Sequence, residues 1–483
     1  MPTKRLLREL DHRLHALLAD PALMKHDGIL SICLAAPLQP NLPAIDNCSD
    51  GLYWNRPSQQ HERMGSGRIP LAATAGARRF QELEQALQSL KSHWRVLDPD
   101  ATGTCNAVFC GFAFEADDTC DSHSAGLDNS LLFIPEVLLE QRAGNSRLVV
   151  SCRTGSDADA MTVIDNWLYR LRRLLSPASS ERFSRHDDSC LQPTPVAEDH
   201  HQWIKRVRQA LEAIHRGQLS KVVLSRHLQI ELPTGFRLHD TLAWLIPRYP
   251  HCTLFAVRHG GQTLIGVSPE NLLTLEHQCL RIDALGGTTG RSGDPQKDLQ
   301  LAETLAHSDK TLHEHHLIVE DIIRRLRPCC NSLLHPQQPS ILKLPAVQHL
   351  QTKISGKTAA GVSALQLAAH LHPTPATGGL PRTAALHWLR RHGEQQRGWY
   401  TGALGWLNPN GDGELAVILR CASVGQHQAT LYAGAGIVAG SDPQQEFLET
   451  EWKLQTMVAA LQAGGGEPMR SFSPAQPGSG QLS

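Results

Sequence analysis

Apolar residues recur at helical spacing at Trp203, Val207, Ala210, Leu211 and Ile214, then run into Arg216-Gly217, a basic last turn with a glycine stop. A strand follows. In Lys221 to Leu232 the residues Val222, Leu224, Leu228 and Ile230 share one face, and Lys221, Ser225, His227 and Gln229 the other. The same patterns predict strands at 253–258, 263–268, 271–276, 280–285, 401–407, 415–422 and 429–438. They predict helices at 296–307, 309–327, 362–371, 382–392 and 443–461. Helices mixed with short strands give an α/β (α+β) class. Residues 1–20 read as an amphipathic helix, because Glu9 and Asp11 interrupt what a signal peptide would need as an apolar run. The polar stretches 176–199 and 328–340 read as punctuation, and the tail from Gly464 as disordered.

The 483 residues allow about three domains or one large one. Charge is balanced, 46 Lys+Arg against 47 Asp+Glu, which leaves no electrostatic footprint for nucleic acid. No apolar run reaches the roughly 20 residues a bilayer requires, so the cytoplasm is the expected compartment. The twelve cysteines form no CxxC pair. Cys105, Cys110, Cys120 and the neighbours Cys329-Cys330 match no zinc pattern, and the cysteines are expected to be mostly reduced and buried.

Ser441-Asp442-Pro443 caps the last helix, on which Glu446, Glu449 and Lys453 share one face, apart from the stripe Phe447, Leu454, Val458 and Leu461. Such a face is either a solvated acidic patch or one side of a cation site. On 309–327 the stripe is Val319, Ile322, Ile323 and Leu326, and Glu314 lies off it. His313, His315 and His316 raise zinc, but HExxH would need His at 317, which is Leu317, and a partly exposed cluster is the simpler reading. Carboxylates from two helices suit Mg²⁺. Lys221 is a general-base candidate or a snorkelling edge lysine, and Glu270, after Ser268-Pro269, a general acid or a turn carboxylate. Arg420 interrupts an apolar strand (LAVILRCA) and needs an anion, structural or ligand. Ala433-Gly434-Ala435-Gly436 opens the backbone to a ligand or makes a bulge. Ser355-Gly356-Lys357-Thr358 is not a P-loop, since position 351 is Gln351.

In order, KVVLSR (221–226), GVSPENLL (266–273), ALGGTTGR (284–291), KTLHEHHLIVEDI (310–322), HPTPATGGLPR (372–382), GALGW (402–406), VILRCAS (417–423), YAGAGIV (432–438) and EFLETEWKL (446–454) resemble the chorismate-utilising enzymes. Within that family the chain looks most like the isochorismate synthases, especially the salicylate-siderophore type. The resemblance implies one large domain of two antiparallel sheets flanked by helices. Residues 1–195 would complete the fold, 196–463 would form the catalytic region, and 464–483 the tail. It implies Lys221 as base and Glu270 as acid, with Glu314 and Glu449 as direct Mg²⁺ ligands and Glu446 reaching the ion through water. Arg420, Tyr400, Gly434, Gly436 and Lys453 match positions that grip the substrate carboxylates, and His349 and Gly287 match others lining the pocket.

Implied, too, is an enzyme that binds chorismate without an obligatory glutaminase subunit, and the balanced charge and full-size core allow a monomer. The anthranilate type has Gln in place of Lys221, and the aminodeoxychorismate type a lysine in place of Gly286. Salicylate synthases share Lys221 but carry Thr where this chain has Ala376, which favours release of isochorismate. Thr311 replaces an acidic residue of many relatives, and Thr377 a bulkier apolar one. The remaining alternatives are a salicylate synthase, a catalytically silent chorismate-binding protein and, third, a zinc hydrolase.

Overall fold

A computed structural model of the chain describes residues 2–38, 42–103, 107–118, 126–176, 200–392, 394 and 396–465. The 176–199 punctuation beyond Ser176, the tail beyond residue 465, and Cys105 and Cys120 lie outside these. Two β-sheets, of twelve and ten strands among the described residues, pack face to face and are covered by helices. Each sheet contains strands from both sides of residue 195. Pairing is antiparallel except between Gly28–Ala35 and Trp94–Leu97.

The layer between the sheets is aromatic, with Trp54, Phe109, Phe133, Phe255, Trp399 and Trp406 in one buried cluster. On the outer face of the twelve-stranded sheet pack the helices Pro2–Leu17, Ala160–Leu175, Leu238–Arg248 and Pro443–Gly464. The ten-stranded sheet is covered by Arg79–His93, Asp309–Leu326 and Ala364–Leu371. The strand Lys221–Glu231 pairs along its full length with Gln428–Val438. On its apolar face Val222, Leu224 and Ile230 are buried and Leu228 half-buried, yet Lys221 on the polar face is also buried, at 1% exposure.

The predicted helices form within a few residues of their expected ends, but two expectations fail. The expected strand 415–422 is two strands in different sheets. Gly413–Val417 belongs to the ten-stranded sheet, Cys421–Val424 to the twelve-stranded one, and Arg420 between them has a positive φ of 46°. An apolar run buried on both faces reads as one strand, because hydrophobicity does not report which sheet a residue joins. Likewise the stretch 328–340 is not simple punctuation. It contains the strand Cys330–Leu334, which pairs with Val347–Thr358, a twelve-residue strand whose lysines and glycine hide its alternation.

The chain also changes sheet between Gln262–Ser268 and Asn271–Glu276, with Glu270 at the crossing. The two crossings are bonded to each other: Val417 N donates to the Glu270 carbonyl at 3.1 Å and Val267 N to the Arg420 carbonyl at 3.0 Å. In the N-terminal half, His61–Ser66 leads to Ile69–Thr74 and Ser130–Ile134 to Val137–Arg142 by the same kind of change.

At the seam, a Cβ on Gly266 would lie 2.5 Å from Phe255 Cζ and 3.0 Å from the Arg420 carbonyl oxygen. Gly266→Ala therefore overpacks a rigid site and is expected to cost about 1–3 kcal/mol in urea unfolding. An unchanged midpoint would contradict this account of the seam.

Candidate active site

The crossings deliver Glu270 and Arg420 into one small cavity of about 70 Å³. Lys221, Glu270, Gly287, Glu314, His349, Ala376, Tyr400, Arg420, Gly434, Gly436, Glu449 and Lys453 all line it. Of the candidates from the sequence, only Glu446 stands behind the wall, buried, one helical turn before Glu449. A larger hollow of about 950 Å³ on the other side of Pro269 holds none of these side chains. Chemistry, not size, distinguishes the smaller cavity.

Val223, Leu285, Thr288, Thr401 and Leu419 also line the cavity and were not singled out from the sequence. Thr288 could have been found, because it pairs with His349 across two strands, but only once that register is known. The Thr311 hydroxyl donates to the N-cap Ser308 at 3.0 Å and its methyl packs against Gly287, whereas Thr377 is itself part of the wall.

Lysines neutralise the carboxylates one to one. Lys221 Nζ donates to Glu314 at 2.8 Å, Lys453 Nζ to Glu449 at 2.6 Å, and Lys310 Nζ to Glu446 at 3.0 Å. Burial alone would raise the pKa of Glu314, but the Lys221 ammonium outweighs it and holds the carboxyl below the usual range. At Glu446 the Lys310 ammonium does not outweigh the opposing effects. Burial first, and the charge of Glu449 second, push it up to about 7. Lys453 also donates to the Gly434 carbonyl at 2.8 Å. Gly436 is required by close approach, since a Cβ there would lie 2.8 Å from Glu314 Oε1 and 2.9 Å from Lys221 Cε. The small residues of this strand thus make room for charged side chains and are not a bulge, because the register with Lys221–Glu231 is unbroken.

Glu270 has no cation in direct contact. Burial, reinforced by the charge of Asp283 beyond the wall, pushes it up to about 8 despite Lys221 and Arg420. At neutral pH it is a protonated acid. Arg420 Nη2 donates to His349 Nε2 at 2.9 Å. A guanidinium only donates, so Nε2 carries no proton and Nδ1–H faces Thr288 Oγ1 at 3.1 Å. Burial and the neighbouring Arg420 hold His349 neutral, well below its ordinary pKa. Arg420 is 7% exposed and forms no ion pair among those between described residues, so it is a buried positive charge facing a cavity.

The histidine cluster of the helix Asp309–Leu326 does not converge. His313 and His316 point to solvent, and His316 pairs with Glu320. His315, expected to be partly exposed, is buried and bonded to Thr352 at 2.7 Å, because it lies on the inward face beside Ile318. Among the described residues no three His, Cys, Asp or Glu side chains form a metal cage on their own. The described cysteines are free and all but Cys279 and Cys330 are buried.

Residues 25–462 match the family described as chorismate binding enzyme. The chain belongs to that family. It is 33% identical over 415 residues to the salicylate biosynthesis isochorismate synthase of Pseudomonas aeruginosa, covering 86% of this chain and 85% of that one. It is 38% identical to the vibriobactin-specific isochorismate synthase of Vibrio cholerae over 60% of this chain and 75% of the relative. Its fold matches the menaquinone-specific isochorismate synthase of Escherichia coli with a TM-score of 0.75 at 25% identity, covering 96% of this chain and all of that one. Among the described residues no helix is long and apolar enough to cross a membrane.

The charge state of Glu270 makes a stability prediction. Its carboxyl ionises near its usual value, 4.5, in the unfolded chain and at about 8 in the fold. The folded state therefore holds the extra proton, and stability falls as pH rises between those values. Glu270→Gln removes this dependence. Its melting temperature relative to the natural chain should rise between pH 5 and pH 9, and a parallel pair of pH–stability curves would refute the assignment.

Proposed function

We propose that the chain is an isochorismate synthase, converting chorismate to isochorismate, with Lys221 as general base and Glu270 as general acid. The observation that carries these roles is the pairing of an amine and a protonated buried carboxyl in one cavity that also presents Arg420 and Lys453. Chorismate bears two carboxylates, and a guanidinium and an ammonium suit them.

Lys221 takes a proton from water as the water oxygen attacks ring C2. The double bonds shift, the C4–oxygen bond breaks, and Glu270 supplies the proton with which the hydroxyl leaves as water. One water enters and one leaves, so the net change is an isomerisation. For Lys221 to accept a proton its ion pair with Glu314 must open and the ammonium must first lose a proton to solvent, leaving the neutral amine. Arg420, held by neutral His349, grips a substrate carboxylate, and Tyr400, Gly434 and Gly436 shape the cavity around it.

Mg²⁺ belongs to the same proposal. Glu314 and Glu449 line the cavity and Glu446 stands one turn behind. They offer only hard oxygen donors, and the charge of Glu449 beside buried Glu446 would be relieved by a cation, which fits a small divalent ion that takes one or two carboxylates and completes its shell with water and substrate. When bound, it would neutralise the substrate's ring carboxylate. The same reading makes the enzyme a cytoplasmic monomer that works without a glutaminase subunit, since water and not an amine is its nucleophile. Ala376, together with the likeness to the salicylate-pathway enzyme over most of the chain, supports isochorismate as the released product with salicylate and siderophore synthesis as its outlet.

Chromatography of products from chorismate should give isochorismate, and salicylate plus pyruvate as the main products would move the chain to the lyase branch. Chelation should abolish turnover and Mg²⁺ restore it. Because Glu270 must be protonated, kcat should fall as pH rises through about 8. Glu270→Gln should lose that limb together with about 10²–10⁴-fold in rate, and Lys221→Ala a comparable factor. A Lys221→Ala variant turning over at the natural rate would exclude it as the base.

A further inference from the structure

Arg397 lies outside the cavity, yet its side chain reaches three of the segments that line it. Its guanidinium is buried and stacked over the Phe114 ring at 4.2 Å. Nη1 donates to the Thr377 carbonyl at 2.7 Å and lies 3.4 Å from Thr401 Oγ1, and Nη2 donates to the Val223 carbonyl at 2.6 Å. Val223, Thr377 and Thr401 are all wall residues. The remaining edge, Nε and Nη2, is held by Glu394 Oε1 at 2.9 and 2.7 Å. Glu394 accepts in turn from the Ser225 backbone N–H at 3.0 Å, from the Ser225 hydroxyl and from Arg206.

The place of this contact in the sheet gives it meaning. Lys221 and Val222 pair with the two-residue strand Gly379–Leu380, and Val223 N donates to the Gly378 carbonyl at 3.0 Å, where the ladder stops. The Val223 and Thr377 carbonyls point past that end. A planar fork spreads five donors over three nitrogens and so reaches both carbonyls and a carboxylate in fixed directions, whereas the donors of an ammonium radiate from a single atom.

We infer that Arg397 is a positioning residue for the reaction. It extends the ladder beyond Gly378 and so sets the spacing between the strand end that carries Lys221 and the Ala376–Thr377 wall. Misplacement of a reacting group by about 1 Å costs on the order of 10²-fold in rate. This rests on the proposed function.

The test compares full-length natural chain, Arg397→Lys and Arg206→Lys with chorismate and Mg²⁺. Arg397→Lys keeps the charge that Glu394 needs and should fold, but its kcat should fall about 10- to 100-fold while KM for chorismate moves less than about threefold. Arg206→Lys, whose described bonds go to the same Glu394 and to the Ser225 carbonyl, should keep its kcat. An Arg397→Lys kcat within about threefold of natural, or an equal loss in Arg206→Lys, overturns the positioning role. If Arg397→Lys does not fold, the uncharged Glu394→Gln/Arg397→Gln pair carries the same expectation, and misfolding of both assigns the pair to stability and overturns the inference. A natural chain that leaves chorismate unchanged sinks the functional reading and this one with it. Natural turnover with an undiminished Arg397→Lys sinks only this one.

Discussion

Two chain crossings between the packed sheets, tied by the bonds from Val417 to Glu270 and from Val267 to Arg420, are the constraint on which the site depends. A residue inside a strand points to one face of one sheet. A residue at a crossing is freed from that alternation and can be aimed along the seam. Glu270 and Arg420 are both at crossings, and the backbone bonds fix them relative to each other. The positive φ of Arg420 is held by the same arrangement.

Around that seam the electrostatics follow from burial. Removing charges from water is expensive unless each finds a partner, and the three glutamates on the two flanking helices each have a lysine. Glu270 has none within bonding distance and stays protonated instead. Among the described residues the Arg420 side chain is bonded to a neutral imidazole and to no carboxylate, which leaves its charge available. The cavity therefore holds a proton donor, an amine and spare positive charge in a space too small for bulk water to screen them. This combination suits a dianionic substrate whose leaving group must be protonated. A protein that used the cavity only for packing would have no reason to gather a buried protonated carboxyl and a guanidinium without a carboxylate partner there.

Much of the site was legible in the sequence because its residues sit in motifs whose local geometry is short-range. The capped start of the last helix puts Glu446, Glu449 and Lys453 on one face, and the structure keeps them there. The alternation around Lys221 correctly assigned its neighbours, though not its burial, which comes from the helix carrying Glu314. What was missed has a common cause. The run LAVILRCA is apolar throughout, so it carries no mark of the change of sheet at Arg420. Val347–Thr358 is interrupted by polar residues because much of it faces partly exposed surface. Arg397 and Glu394 follow the helix Arg382–Arg391 in a polar stretch of sequence, and only the fold shows that the Arg397 guanidinium is buried against the Thr377 and Val223 carbonyls with Glu394 beside it.

From the sequence alone came the periodic elements, the balanced charge, the family and the identity of the reactive side chains, all properties of neighbours along the chain or of ordered motifs. Only the tertiary structure decided that Glu270 is a buried acid, that Lys221 is paired with Glu314, that His349 is a neutral acceptor for Arg420, and that two crossings make one cavity. These depend on which distant segments exclude water from one another, and dielectric and distance are set by packing and not by the order of residues.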